Sequence, residues 1–329
     1  MLKLKYGITA VLVLLISFIL ILFQGKTEEI HAHPNADAHP AVGASPGLAV
    51  SPEAAEAFAL LDKGKYTELQ EKLRKNPSLL NVRNANGETM LNICSKYGVR
   101  DFCVLLVQMG ADVKIKDLNG LTPLHGSALS GDIQIAELLL KKGVNINSTT
   151  SRGMTPLHFA AMRGDEKMVK FLKEKGAEIH VKDSFYGYTP LHLSARNGNL
   201  AVVEFFLKSG IDVNERDAGG WTALHCAAAS CRKEVCRILI SRGARLSAVG
   251  NGGEYPVHEA VMSGDPDTLS FILDCGADIN CVDKDGRTPL DWADEQPHLK
   301  GLLEGRGAKR GKDLKPDIWQ DFKNLFWNN

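Results

Sequence analysis

The chain has 329 residues, room for two ordinary domains or one extended array. Its 39 basic and 39 acidic side chains cancel, removing the cationic surplus with which a nucleic-acid binder displaces counterions from phosphates. With 44 % hydrophobic and 24 % charged residues the composition is that of a folded protein, and seven scattered cysteines are too few for a disulfide scaffold.

Residues 7–23 are apolar apart from Thr9 and Ser17. As a helix they would reach about 26 Å, enough to cross a thin hydrocarbon core. Lys3 and Lys5 precede the run, and Lys26 follows it, offset by Glu28 and Glu29. This bias predicts a cytoplasmic stub and signal anchor over residues 1–25, with everything after Phe23 on the extracytoplasmic side (periplasmic in a bacterium). A cleaved signal peptide is the alternative; its apolar region should be shorter, and the first small-x-small site, Ala36-Asp37-Ala38, lies well beyond the run. Residues 26–50 are rich in Ala, Pro, His and Gly and bury too little to offset their ordering entropy, which predicts a disordered linker. His31, His33 and His39 are read as part of that solvated spacer rather than as metal ligands.

From residue 51 the chain repeats itself. Thr122-Pro123-Leu124-His125 recurs as Thr155-Pro156-Leu157-His158 and Thr189-Pro190-Leu191-His192. It continues as Thr222-Ala223-Leu224-His225, Tyr255-Pro256-Val257-His258 and Thr288-Pro289-Leu290-Asp291, with an earlier echo at Thr89-Met90-Leu91-Asn92. The first residues of these seven motifs are 33, 33, 34, 33, 33 and 33 apart. A glycine stands two residues before each motif, as at Gly120 and Gly153, where a turn calls for positive φ. Between the glycines, apolar residues fall at helical spacing, as in Ile135, Leu138 and Leu139.

These residues resemble the ankyrin repeat over about residues 52–308. The resemblance implies an all-α solenoid in which each repeat is a β-turn finger followed by two antiparallel helices. Physically, the Thr caps the first helix, the Pro sits in its first turn and the Leu enters the core. The family implies that His125, His158, His192, His225 and His258 hydrogen-bond neighbouring turns, a structural rather than catalytic role. Residues 51–308 are therefore read as a degenerate N-terminal cap and seven repeats, the last a C-terminal cap. In that cap Asp291 replaces His, Pro297 replaces the inter-helix Gly, and the second helix near Leu299, Leu302 and Leu303 is expected to be shortened. The fourth repeat carries one extra residue around Ser184-Phe185-Tyr186, lengthening its finger.

Motifs for chemistry are incomplete. His258-Glu259-Ala260-Val261-Met262 opens like a zinc-protease helix, but Met262 stands where the second ligand belongs. Residues 305–312 lack phosphate-loop spacing, and no C-x-x-C pair occurs. The reading is of a non-enzyme without cofactor, metal or small-molecule substrate. Cys103 and Cys236 fall on core-facing positions of second helices, and Cys94 is placed to approach Cys103. Cys226, Cys231 and Cys236 lie on a first helix, a turn and a second helix, which points them apart.

The family binds partners along its concave side, made of fingers and the exposed faces of first helices. The residue before each motif reads Glu88, Leu121, Met154, Tyr188, Trp221, Glu254 and Arg287, apolar or aromatic at the centre and charged at the ends. Leu121, Met154, Tyr188 and Trp221, with Phe185 and Tyr186 on the longer finger and Leu129 and Met162 on first helices, are the candidate partner-binding residues. Tyr188 and Trp221 are expected to be exposed; Phe159 and Leu193 suit either groove or core. An apolar patch with a charged rim suits another protein. The tail, 309–329, is basic at Lys309, Arg310, Lys312 and Lys315; Ile318, Phe322, Leu325 and Phe326 then form a helical stripe beside Trp319 and Trp327. A helix folded over the last repeat is expected there, with a membrane-interface or partner-binding helix as the alternative. The resulting expectation is a membrane-tethered, protein-binding scaffold. A soluble exported form after signal cleavage and a thiol-bearing accessory factor for an enzyme or oxidative defence are the alternatives.

Overall fold

The computed structural model describes residues 50–314. The expected membrane segment, the linker up to residue 49 and the tail beyond Leu314 lie outside them. Among the described residues no helix is long and apolar enough to cross a membrane.

The described chain is a succession of helix pairs. A cap of α1 (Pro52–Asp62) and α2 (Tyr66–Lys75) is followed by seven pairs: α3 (Met90–Tyr97) with α4 (Arg100–Gln108), α5 (Pro123–Ser130) with α6 (Ile133–Lys141), and α7 (Pro156–Arg163) with α8 (Glu166–Glu174). The series continues with α9 (Pro190–Asn197) and α10 (Leu200–Lys208), α11 (Ala223–Ala229) and α12 (Lys233–Ser241), α13 (Pro256–Met262) and α14 (Pro266–Asp274), and finally α15 (Pro289–Trp292) and α16 (Pro297–Gly305). Most first helices start where a Thr in the extended region caps them and a Pro supplies a preset φ at the next position, as at Thr155 and Pro156. Tyr255 takes the Thr's place in the sixth repeat, and Met90 and Ala223 take the Pro's in the first and fifth.

Helices this short are unstable alone, so their apolar faces must be sealed by neighbours. Leu91, Leu124, Leu157, Leu191 and Leu224 from the first helices are buried in one continuous core with Leu106, Leu139, Leu172, Phe206 and Leu239 from the second helices. Cys94, Cys103 and Cys236 lie in the same core. Cys94 and Cys103 are neighbours in it, and both are free thiols rather than a disulfide. At the N-terminal end Leu69 and Leu73 face inward while the other side of α2 is charged, as a cap requires.

The last repeat differs from expectation. Its first helix is the clipped one, four residues from Pro289 to Trp292, whereas α16 keeps nine. Pro297 suits the first turn of α16, where its missing N–H has no intrahelical partner to lose, so the proline starts that helix rather than shortening it. Asp291 takes over the histidine's place, accepting from Thr288 N–H (3.0 Å) and from Gly311 N–H (2.7 Å), while Arg310 pairs with Asp291 and Asp294. The chain at 309–313 is thereby fastened across the last repeat.

Fingers join one another through their backbones. Ser151 N–H donates to Asn119 O (2.8 Å), Ser184 N–H to Arg152 O (2.8 Å), Ala218 N–H to Tyr186 O (2.8 Å) and Asn251 N–H to Gly219 O (2.7 Å). This close approach, more than turn geometry alone, explains a finger glycine such as Gly153. Its φ is +74°, and a Cβ there would lie 2.6 Å from Ser184 N.

Candidate protein-binding groove

Each first-helix histidine makes the same two bonds. Thr122 N–H donates to His125 Nδ1 (3.1 Å), and His125 Nε2–H donates across to Met154 O (3.1 Å). In register, His158 reaches Tyr188 O (3.1 Å), His192 reaches Trp221 O (3.1 Å), His225 reaches Glu254 O (3.3 Å) and His258 reaches Arg287 O (3.2 Å). An acceptor at Nδ1 and a donor at Nε2 define the neutral ring. Burial pushes His125, His192 and His258 down to about 4 and His225 to about 3, so the neutral form is the one the fold holds. Asn92 does the same work in the first repeat, accepting from Thr89 N–H (3.0 Å) and donating to Leu121 O (3.2 Å).

The candidate binding residues are therefore pinned at their backbones. Leu121, Met154, Tyr188 and Trp221 each offer their carbonyl to the preceding repeat, while their N–H groups donate to Asp117, Thr150, Asp183 and Asp217. Tyr188 and Trp221 are half-buried rather than exposed. The reason is stacking: Tyr188 lies along His192 (6.0 Å, 27°) and Trp221 along His225 (5.9 Å, 18°). Tyr186 stacks in turn on Tyr188 (5.2 Å) and Phe185 meets Tyr186 edge-on (4.6 Å), with the Arg152 guanidinium over Phe185. The extra residue in the fourth finger thus builds an aromatic run whose outer members, Phe185 and Tyr186, are the exposed ones, 52 % and 45 %.

Leu121, Leu129, Met154 and Met162 are half-buried, and Phe159 lies edge-on to His125 (5.5 Å). Leu193 is core. Leu118, on the second repeat's finger and 51 % exposed, extends the apolar row beyond what repeat positions had suggested. Its signal in the sequence is a large apolar residue at a finger tip, one position before Asn119-Gly120. The ends of the row are charged and internally paired: Glu88 with Lys96, and Arg287 with Asp283 and Asp285. Trp221 Nε1–H donates to Glu254 Oε1 (2.6 Å), tying the aromatic centre to the acidic end.

The cysteine triplet is separated as its elements imply, with Cys226 and Cys236 buried and Cys231 exposed on the turn. Cys231 carries a φ of +58°, where the equivalent turns use Gly131, Gly164 and Gly198. Burial pushes the Cys226 and Cys236 thiols well up, which makes them poor nucleophiles. Among the described residues no three His, Cys, Asp or Glu side chains converge as a metal site would need.

The family descriptions "Ankyrin repeats (3 copies)" and "Ankyrin repeats (many copies)" match residues 57–150, 91–183 and 157–250, and residues 257–293, respectively. The chain belongs to the ankyrin-repeat family. Among curated proteins none matches it. Ankyrin repeats are interaction modules, and the row described above is where this ankyrin array offers apolar surface with pinned backbone.

Proposed function

We propose that the array is a protein-binding scaffold whose groove across the second to fifth repeats grips a segment of another protein, and that residues 7–23 tether it to a membrane with the repeats outside the cytoplasm. The observation that carries the binding reading is the preassembled row from Leu121 to Trp221, backbone-pinned and capped by the exposed Phe185–Tyr186 pair. Rigid aromatic anchors lose little entropy on binding, so a surface held in this way spends its contact energy on the partner.

A photo-activatable residue placed at Phe185 or Tyr186 should crosslink a protein that the same residue at Lys142 or Lys175, on the ends of second helices, does not. Equal adducts from both faces would count against the groove. The tether rests on the apolar run and the lysines before it. A reporter active only outside the cytoplasm, fused after Asn329, should be active and sediment with membranes; a cytoplasmic or freely released reporter would refute that half.

A further inference from the structure

The sixth repeat places two carboxyl groups at the end of the groove, and their surroundings are not those of ordinary surface acids. Glu254 is 94 % buried and holds the Trp221 indole N–H through Oε1. Its finger is lined by Gly250 and Gly252, where an added Cβ would fall on the Glu254 oxygens. Neither glycine has a positive φ, so what they supply is room for the carboxylate rather than an unusual backbone.

Glu259 stands five residues on, in the first turn of α13, and is 97 % buried. Among the described residues its carboxyl accepts no hydrogen bond and joins no ion pair. Ser148 Oγ and Gln296 Oε1 are the side-chain polar atoms fully sealed away without a partner among those residues, so the unpartnered Glu259 carboxyl, though almost wholly buried, still touches the surface through a narrow opening. Register places it against His225, as Phe159 lies on His125 and Trp292 on His258. His225 is the ring on which Trp221 stacks, so that register position lies next to the aromatic centre of the groove.

The fold itself does not ask for an acid there. The same register position carries Ile93, Gly126, Phe159, Leu193, Cys226 and Trp292 in the other six repeats. Burial and the neighbouring Glu254 raise the Glu259 carboxyl well above the usual carboxylate range, as expected of an acid almost wholly removed from water with no cation beside it. No cation of the described groove supplies one. Arg287, next along the finger row, is engaged by Asp283 and Asp285 and lies over Trp292. Arg196, two repeats away, is placed toward Cys226, while His225 and His258 are held neutral.

We propose that Glu254 and Glu259 form a receptor for one arginine side chain of the protein segment held in the groove, with Trp221 fixing the orientation of Glu254. The assignment rests on the groove reading and adds the chemistry of the occupant. A guanidinium fits better than an ammonium because it is planar, more weakly hydrated, and carries five donors in a fork that can serve two carboxyl groups at once.

The test uses the full chain and arrays of acetylated octapeptides, randomised except for a central Arg, Lys, citrulline or Glu. Arginine pools should bind roughly thirtyfold or more tightly than citrulline pools. That preference should vanish in Glu259→Gln and fall in Glu254→Gln, with circular dichroism unchanged. Should Glu259→Gln fail to fold, carbon NMR of the wild-type Glu259 carboxyl should show its titration midpoint move down on addition of an arginine peptide and stay where it is with the citrulline one. Binding that ignores the central residue, treats Lys and Arg alike, or survives both variants would overturn the receptor while leaving the groove in place. Absence of binding by every pool would overturn the receptor too; the crosslinking comparison between the two faces then judges the groove separately.

Discussion

Lowering the pH from 7 to 5 should destabilise the array by roughly 1–2 kcal/mol for each buried histidine, several kcal/mol in sum. An unfolded histidine takes its proton near pH 6.5, whereas folded His125, His192 and His258 do so at about 4 and His225 at about 3. Between those limits the unfolded chain binds more protons, so acid favours unfolding. The stabilisation is complete above about pH 6.5 and is lost as the pH falls toward about 4. Protonation would also put a hydrogen on Nδ1, facing the Thr N–H that now donates to it. Glu259, Asp62 and Asp117, raised chiefly by burial, work the other way, but they are three carboxyls against five histidines, His158 among them. Urea unfolding at the two pH values measures the effect. Because Asn92 makes both bonds without titrating, His192→Asn should remove that residue's share of the slope while keeping the cross-repeat link. Identical unfolding curves at pH 5 and pH 7 would show that the histidines are not held neutral.

The fold was legible because the array writes one short-range pattern seven times. A capping Thr, a first-turn Pro, a core Leu and turn glycines act within a few residues of themselves, and a local rule needs no tertiary knowledge. What the period could not supply was how side chains of different repeats settle on one another. Tyr188 and Trp221 were correctly placed on the fingers, but that each ring would lie on the histidine of its own repeat, half-burying it, depends on a contact whose geometry spacing does not state. Phe159 and Leu193 share a register position, yet one is half-buried and the other core.

The same gap hid the acidic pair. In sequence His258-Glu259 reads as an abandoned metal motif. In the fold the histidine is committed to Tyr255 N–H and Arg287 O, and the glutamate belongs with Glu254. In the last repeat Pro297 stands where the inter-helix glycine is expected, beside a second helix read as shortened, although a proline at a helix's first position is a starter.

Removing the aromatic centre of the groove should weaken partner binding by roughly 2–4 kcal/mol, a loss of about thirtyfold to a thousandfold. The argument is one of position. Tyr188 and Trp221 sit mid-row, are held from behind by His192 and His225, and carry the exposed Phe185–Tyr186 pair and the Glu254 carboxylate on either side. Cutting both to alanine removes large contact area but leaves the backbone bonds of the row, since those use main-chain atoms. The array should therefore still unfold cooperatively, at somewhat lower denaturant. The decisive measurement is a calorimetric titration of the protein crosslinked through Phe185 or Tyr186 against the wild-type chain, Tyr188→Ala/Trp221→Ala, and Lys142→Ala/Lys175→Ala on the second helices. Loss of affinity confined to the first double variant is the expected result; undiminished affinity in a folded Tyr188→Ala/Trp221→Ala chain would contradict a groove-binding scaffold.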